Sequence, residues 1–167
     1  LKALPEEEYR ARALGQWDVS LSQFFTRWRD NVHVVEPFDI PVDWDHFICV
    51  DYGFNKPYAA LWFARPPNSQ SAFVYREQYG KGVDLDEQVF RAWQATTETG
   101  VKPRGVVLDP AMYAKVNVKG ARERPMAEHW QEKFYGVVRG DNSRIPGWRL
   151  MREMLDWQER PDGGVMI

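Results

Sequence analysis

Residues 46–63 read HFICVDYGFNKPYAALWF, and how the carboxylate within them is understood decides the fold. Phe47 to Val50 is a short apolar, strand-like run, and Asp51 follows it. A turn containing Gly53, Asn55 and Pro57 then leads into a second apolar run from Ala59 to Phe63. This is the pattern of a hairpin. Strand alternation puts Phe47, Cys49 and Asp51 on one face and Ile48, Val50 and Tyr52 on the other. An ionised aspartate on a buried face is costly unless something compensates it. A turn cap before Gly53 and a functional carboxylate both answer that requirement, and this strand alone leaves both open.

Outward from the hairpin, a third apolar run at 72–79 (AFVYREQY) follows the turn composition RPPNSQS. The runs at 47–52, 58–64 and 72–79 therefore predict an antiparallel meander. DLDEQVFRAWQATTETG predicts a helix with Asp84 as N-cap, with Leu85, Val89 or Phe90, and Trp93 on its apolar face, and with Gly100 as its stop. RGVVLDP gives a short buried strand ending in Asp109 and Pro110, RPMAEHWQEKFYG a second helix ended by Gly136, and VVRGDN a brief strand. A third helix, PGWRLMREMLDWQ, carries Trp148, Met151, Met154 and Leu155 on one face, and RPDGG turns the chain into the strand VMI. Upstream, PEEEYRARAL at 5–14 reads as a surface or linker helix, HVVEPF as strand-like, and PFDIPVDWD as extended by its prolines. Strands alternating with helices after a meander predict an α/β mixed sheet, antiparallel at one edge and parallel beyond, with the first strand central and helices on its faces.

The 167 residues suffice for one domain with a sizeable core. A composition of 44% hydrophobic and 28% charged residues, with eight tryptophans, excludes disorder. The net charge of -2 carries no global basic signature, so a nucleic-acid partner would have to meet locally concentrated cations. Cys49 is the only cysteine, which excludes an internal disulfide and a cysteine-based zinc cluster and fits a reducing cytoplasm. No apolar run reaches the roughly 18–20 residues of a membrane helix, and the opening LKALPEEEYRARALGQW lacks a signal-peptide pattern. An opening without Met and a close in the strand-like GGVMI suggest a fragment of a longer protein.

A second carboxylate changes the reading of the first. Asp109 ends GVVLD, and in open α/β sheets ligands gather at the carboxyl ends of parallel strands. Aspartate before proline also favours turn initiation, which is its structural alternative. If the strands ending at Asp51 and Asp109 are neighbours, the two carboxylates stand together over one sheet edge. At about 4–5 Å apart they would repel by roughly 3–4 kcal/mol at an effective dielectric near 20. A proton or a cation resolves that conflict, and a hard divalent ion such as Mg²⁺ or Mn²⁺ suits an all-oxygen site. Two such ions make an arrangement that activates water and stabilises the leaving oxygen of a phosphodiester.

VDYGFNKPYAALWF, VVLDP after a meander and helix, and DNSRIPGW before the last helix together resemble the nuclease domain of the large terminase subunit of tailed bacteriophages. LPEEEYRARALGQWD and HVVEPF resemble the link between the ATPase and nuclease domains of that protein, so the likeness runs along nearly the whole chain. Asp-x-Gly on a strand occurs in unrelated folds, and it is the ordered set that carries the resemblance. The family implies a ribonuclease H-like fold and metal-dependent cleavage of double-stranded, concatemeric viral DNA during packaging. It implies a linker helix over residues 1–20 and a nuclease domain over 21–167 whose C-terminal part is missing. Asp51 becomes the first-strand ligand of two Mg²⁺ or Mn²⁺ ions and Asp109 the fourth-strand ligand. The third acidic ligand is expected on a helix beyond Ile167, a position that Asp141, Asp156 and Asp162 do not match. With no phosphate-binding Gly-x-x-x-x-Gly-Lys-Ser/Thr loop in the chain, the ATPase domain is expected upstream of Leu1. The portal and the small terminase subunit are the further partners implied, and the location is the host cytoplasm, transiently at the prohead portal.

Lys115, Lys119, Arg122 and Arg124 follow the Asp109 strand, and Arg139 and Arg144 follow the next. Cations in such loops can hold a phosphate backbone beside the acidic edge, or they can simply pair with Glu123 and Glu128 on a solvated surface. Lys56, in the turn just after Asp51, is the best single candidate, with Lys115, Arg122 and Arg144 completing the DNA-binding set and Asn142 near the same edge. The tryptophans Trp62, Trp93, Trp148 and Trp157 are expected in the core. His33, His46 and His129 show no metal spacing. Three alternatives remain in view: a resolvase, integrase or transposase core of the same fold, a DNA-holding or motor-docking module inactive in isolation, and a nucleotide-binding domain of the actin or sugar-kinase type. The last needs a second glycine-rich hairpin and about twice the residues.

Overall fold

Alternating apolar and small or polar positions from residue 45 to residue 65 build the two strands around which the rest is arranged. The computed structural model describes residues 25–114, 117–118, 121–122, 124–159 and 165–166. In chain order its elements are α1 (Asp30–His33), β1 (Asp45–Asp51), β2 (Tyr58–Arg65), β3 (Phe73–Gly80), α2 (Leu85–Glu98), β4 (Gly105–Leu108), a 3₁₀ turn (Pro110–Tyr113), β5 (Asn117–Val118), β6 (Ala121–Arg122), α3 (Met126–Gln131), β7 (Val137–Arg139), α4 (Arg144–Met154), β8 (Gln158–Glu159) and β9 (Val165–Met166). The helix expected at 5–14 lies outside the described residues. Two compact units result, Asp39–Ser143 and a second formed by Leu1–Phe38 with Arg144–Ile167.

The Asp39–Ser143 unit holds a five-stranded sheet in the order β3-β2-β1-β4-β7, with β1 central as expected. β1 pairs antiparallel with β2, from Asp45 opposite Arg65 to Asp51 opposite Ala59. β2 pairs antiparallel with β3, with an irregularity between Trp62 and Phe63. β4 runs parallel to β1 and β7 parallel to β4, aligning Val50, Leu108 and Arg139 across three strands. This mixed sheet, antiparallel at one edge and parallel beyond, is consistent with the ribonuclease H-like architecture expected from the sequence.

One face of the sheet carries the core. Ile48 and Val50 of β1, Ala60 and Trp62 of β2, and Val106 and Leu108 of β4 are buried against Val89, Ala92 and Ala95 of α2 and against Ala127, Trp130 and Phe134 in and after α3. Fully burying a side chain as large as Trp62 contributes roughly 3 kcal/mol. Its indole N–H donates to Thr96 Oγ1 at 3.0 Å, and the Thr96 hydroxyl donates to Ala92 O at 2.7 Å, so the donors of this pair are satisfied.

Several expectations are corrected. The buried stripe of α2 is Gln88, Val89, Ala92, Ala95 and Thr96, whereas Phe90 and Trp93 are 48% and 40% exposed. Small residues at 92 and 95 let the helix approach the sheet, and the two large rings turn outward to contact each other. HVVEPF forms no strand, because His33 closes the single turn of α1 and the following residues have no regular structure. α3 ends at Gln131, five residues before Gly136. Trp157 lies outside any helix, in the second unit, where its indole N–H donates to Arg27 O at 3.0 Å and the Arg27 guanidinium lies 5.3 Å from its ring centroid. In that unit α4 buries none of its residues, although Leu155 just after it is buried.

Candidate active site

β1 ends at Asp51, and the alternation that buries His46, Ile48 and Val50 sends Asp51 to the opposite, non-core face. There it is exposed, at the point where the strand leaves the sheet. The cost of a carboxylate buried in a core, anticipated from sequence, therefore does not arise; the carboxylate stands at the rim.

Asp109 is the first residue past β4. Its N–H donates to Val50 O at 3.1 Å, which carries the β1–β4 pairing one step beyond the strand. Its side chain accepts from Ala111 N at 2.6 Å and caps the 3₁₀ turn that Pro110 begins. The turn role is thus met, and the cap holds the carboxylate beside the end of β1. Although Asp51 is exposed overall, partial desolvation of its carboxylate at the rim raises its pKa above the usual aspartate value, and the Asp109 charge raises it further.

Asp51 and Asp109 line one open pocket of ≈ 250 Å³ whose apolar floor includes Val50, Leu61 and Leu108. Asp141 and Asn142 line it too, because Gly140 N donates to Leu108 O at 2.8 Å and brings the chain after β7 over the end of β4. Asp141 accepts from Ser143 N at 2.9 Å, and hydrogen bonds from the Ser143 hydroxyl and N–H lower its pKa. Among the described residues no three His, Cys, Asp or Glu side chains gather closely enough to hold a metal together. Asp156 belongs to the second unit and pairs with Arg27 at 2.7 Å, and Asp162 lies outside the described residues. An all-oxygen pair of adjacent carboxylates at an open edge fits one hard cation of the Mg²⁺ type, which keeps several waters and takes only one or two carboxylates.

The basic residues divide. Lys56 is exposed in the β1–β2 turn, five residues after Asp51. Arg122 lies in β6 opposite Asn117, and Lys115 lies outside the described residues. Arg144 opens α4 in the second unit. Arg124 pairs with Glu132, the kind of surface ion pair that stood as the alternative to DNA contact. The histidines are structural: His46 is buried between Pro41 O at 3.1 Å and the Tyr75 hydroxyl at 3.2 Å, and His129 meets Asp86 at 2.7 Å.

The loop after Asp51 is fixed at backbone level. A Cβ on Gly53 would stand 2.3 Å from Pro57 O and 2.4 Å from Lys56 O, so the chain folds back too tightly there for any side chain. Gln88, fully buried in α2, donates from Nε2 to Gly53 O at 2.9 Å and to Val83 O at 2.6 Å. The sequence reading passed over this residue, although a glutamine three positions after Leu85 and four before Ala92, inside the apolar stripe, was the available signal.

No protein-family model matches the chain, and no curated protein matches it. Solved structures do. The large terminase of the thermophilic bacteriophage D6E superposes with a TM-score of 0.64 at 16% identity, covering 79% of this chain and 31% of that one. A D6E large terminase in complex with ATP-gamma-S gives 0.63 at 16% identity, covering 79% and 32%. The P22 large terminase nuclease domain gives 0.58 at 16% identity, covering 78% and 67%. The present chain thus spans about a third of the length of the D6E terminase and two thirds of the P22 nuclease domain. The likeness establishes the fold, which is the one those terminase chains carry.

Proposed function

We propose that this chain is the metal-dependent endonuclease domain of a phage DNA-packaging terminase large subunit, cleaving double-stranded concatemeric viral DNA. The observation that carries the reading is the juxtaposition of Asp51 and Asp109 at the carboxyl ends of adjacent parallel strands, in one open pocket of a terminase-like sheet. Asp51 and Asp109 would hold divalent metal, Mg²⁺ or Mn²⁺, with a third acidic ligand past Ile167 completing a two-ion site. When bound there, divalent metal supplies Lewis acidity toward a phosphoryl oxygen and lowers the pKa of water.

The chain's own residues do the rest. Asp51 projects from a central strand paired on both sides, and Asp109 is pinned by the Ala111 N–H, so both carboxylates are preorganised. The open pocket mouth leaves room for a phosphodiester backbone. Lys56 would neutralise phosphates along it, and Lys115, Arg122 and Arg144 are the further cations proposed to meet the backbone, contacts that orient the duplex without reading its sequence. By analogy with the nucleotide-bound D6E chains, an ATPase domain in the same polypeptide would drive translocation, and a portal and a small terminase subunit would complete the packaging machine in the host cytoplasm. Among the described residues no helix is long and apolar enough to cross a membrane.

The reading is tested by Mn²⁺-dependent cleavage of plasmid DNA, using the chain extended past Ile167 and its Asp51→Asn and Asp109→Asn variants. Each substitution should lower the rate by at least about 100-fold with an unchanged circular-dichroism spectrum, the scale on which a fixed electrostatic group contributes to catalysis. Undiminished cleavage by folded Asp51→Asn would overturn it. Preference for branched or end-specific DNA over plain duplex would redirect it to a resolvase or integrase of the same fold.

A further inference from the structure

We infer that Gln88 is a positioning residue for the acidic pair: its buried carboxamide ties α2 to the loop that follows Asp51 and so fixes where that carboxylate and Lys56 stand. Its consequence for chemistry rests on the nuclease reading above. Both hydrogen-bond partners of the amide, Gly53 O and Val83 O, are carbonyls, so the end facing them must be the NH₂ group, and both of its protons are used. The opposite end, Oε1, is buried and has no hydrogen-bond partner among the described residues. A leucine or methionine would fill the same volume without a stranded acceptor, which is destabilising inside a core. Packing alone therefore does not account for glutamine at this position, whereas a requirement for two donors aimed at the loop does.

A second tie acts on the same loop at the next residue, where Gly82 N donates to Phe54 O at 2.9 Å. Gly53 and Phe54 are thus held by one donor each, from α2 and from the segment before it. Asp51 lies two residues upstream of the clamped Gly53 and Lys56 three residues downstream. The clamp links the core helix to the carboxylate rim without touching substrate, which is how partners behind a first ligand shell set its geometry.

The test uses the whole chain with Gln88→Met, which keeps the shape and removes both donors, and Gln88→Glu, which offers the two carbonyls a carboxylate. Gln94→Ala on the exposed side of α2 is the control. Hydrogen exchange at the Gly82 amide reads whether the loop stays in place, and exchange at Val106, whose N–H bonds Gly136 O in the sheet, reads global stability. In both variants Gly82 should accelerate about tenfold more than Val106, whose own acceleration reads the global cost of stranding two buried carbonyls, and Mn²⁺ should bind about tenfold more weakly, with Gln94→Ala unchanged in all three. Equal acceleration at Gly82 and Val106, or no acceleration at Gly82, overturns the clamp. Faster Gly82 exchange with unaltered Mn²⁺ affinity overturns the positioning role. If the unsubstituted chain binds no Mn²⁺, it is the metal-site reading that fails, and the exchange measurements alone then decide whether Gln88 holds the loop.

Discussion

Asp51 stands exposed on the non-core face at a strand end, where partial desolvation of its carboxylate and the neighbouring Asp109 both favour its protonated form. A folded-state pKa raised above the unfolded value means that this group's stabilisation is complete below the unfolded pKa and is lost as pH rises through the folded one. At neutral pH the metal-free chain therefore carries unfavourable charge, and Asp51→Asn should raise the thermal midpoint there, with the gain vanishing once the pH falls below the ordinary aspartate range. Equal midpoints at pH 7 in the presence of chelator would contradict this. Gly53 acts through space rather than charge. Gly53→Ala would force a Cβ onto two backbone carbonyls 2.3 and 2.4 Å away, and should cost about 1–3 kcal/mol in urea unfolding or prevent folding, while a change below about 0.5 kcal/mol would show that the loop can open.

α2 shows what periodicity conveys and what it leaves out. Its start after Asp84 and its end before Gly100, at φ +67°, were legible, although the Asp84 side chain makes no capping hydrogen bond among the described residues. Its buried face was not, because hydrophobicity alone ranks Phe90 and Trp93 above Ala92, Ala95 and Gln88. The winning face was set by how closely a helix can approach a sheet already filled by Trp62, a tertiary constraint absent from local pattern. The Trp62–Thr96 hydrogen bond belongs to this contact and makes it testable. Thr96→Val keeps the volume and strands the indole N–H, and should cost about 1–3 kcal/mol by denaturant unfolding. In a Trp62→Phe background the same substitution should cost clearly less, since the stranded donor is gone, and additive costs would mean that the hydrogen bond contributes nothing.

Across the whole molecule, the order of strands was readable because a meander followed by strand-helix alternation leaves few ways to build one sheet, and β1 falls at its centre. That order made the proximity of Asp51 and Asp109 foreseeable from two residues 58 positions apart. Side-chain detail was not foreseeable: Asp141 reaches the pocket only because Gly140 hydrogen-bonds the end of β4, and Gln88 reaches the loop only through the packing of α2. At this scale the nuclease account also predicts how DNA is held. If Lys56 meets a phosphate, Lys56→Ala should weaken duplex binding similarly for all sequences and reduce the slope of log K against log salt by about 1, whereas an unchanged slope would remove Lys56 from the interface. The most direct measurement is a crystal structure of the chain grown with Mn²⁺ and read by anomalous scattering. The account predicts an ion about 2.0–2.3 Å from carboxylate oxygens of both Asp51 and Asp109, absent from the Asp51→Asn variant. Mn²⁺ bound elsewhere, or an empty edge beside two well-ordered carboxylates at saturating metal, would contradict it.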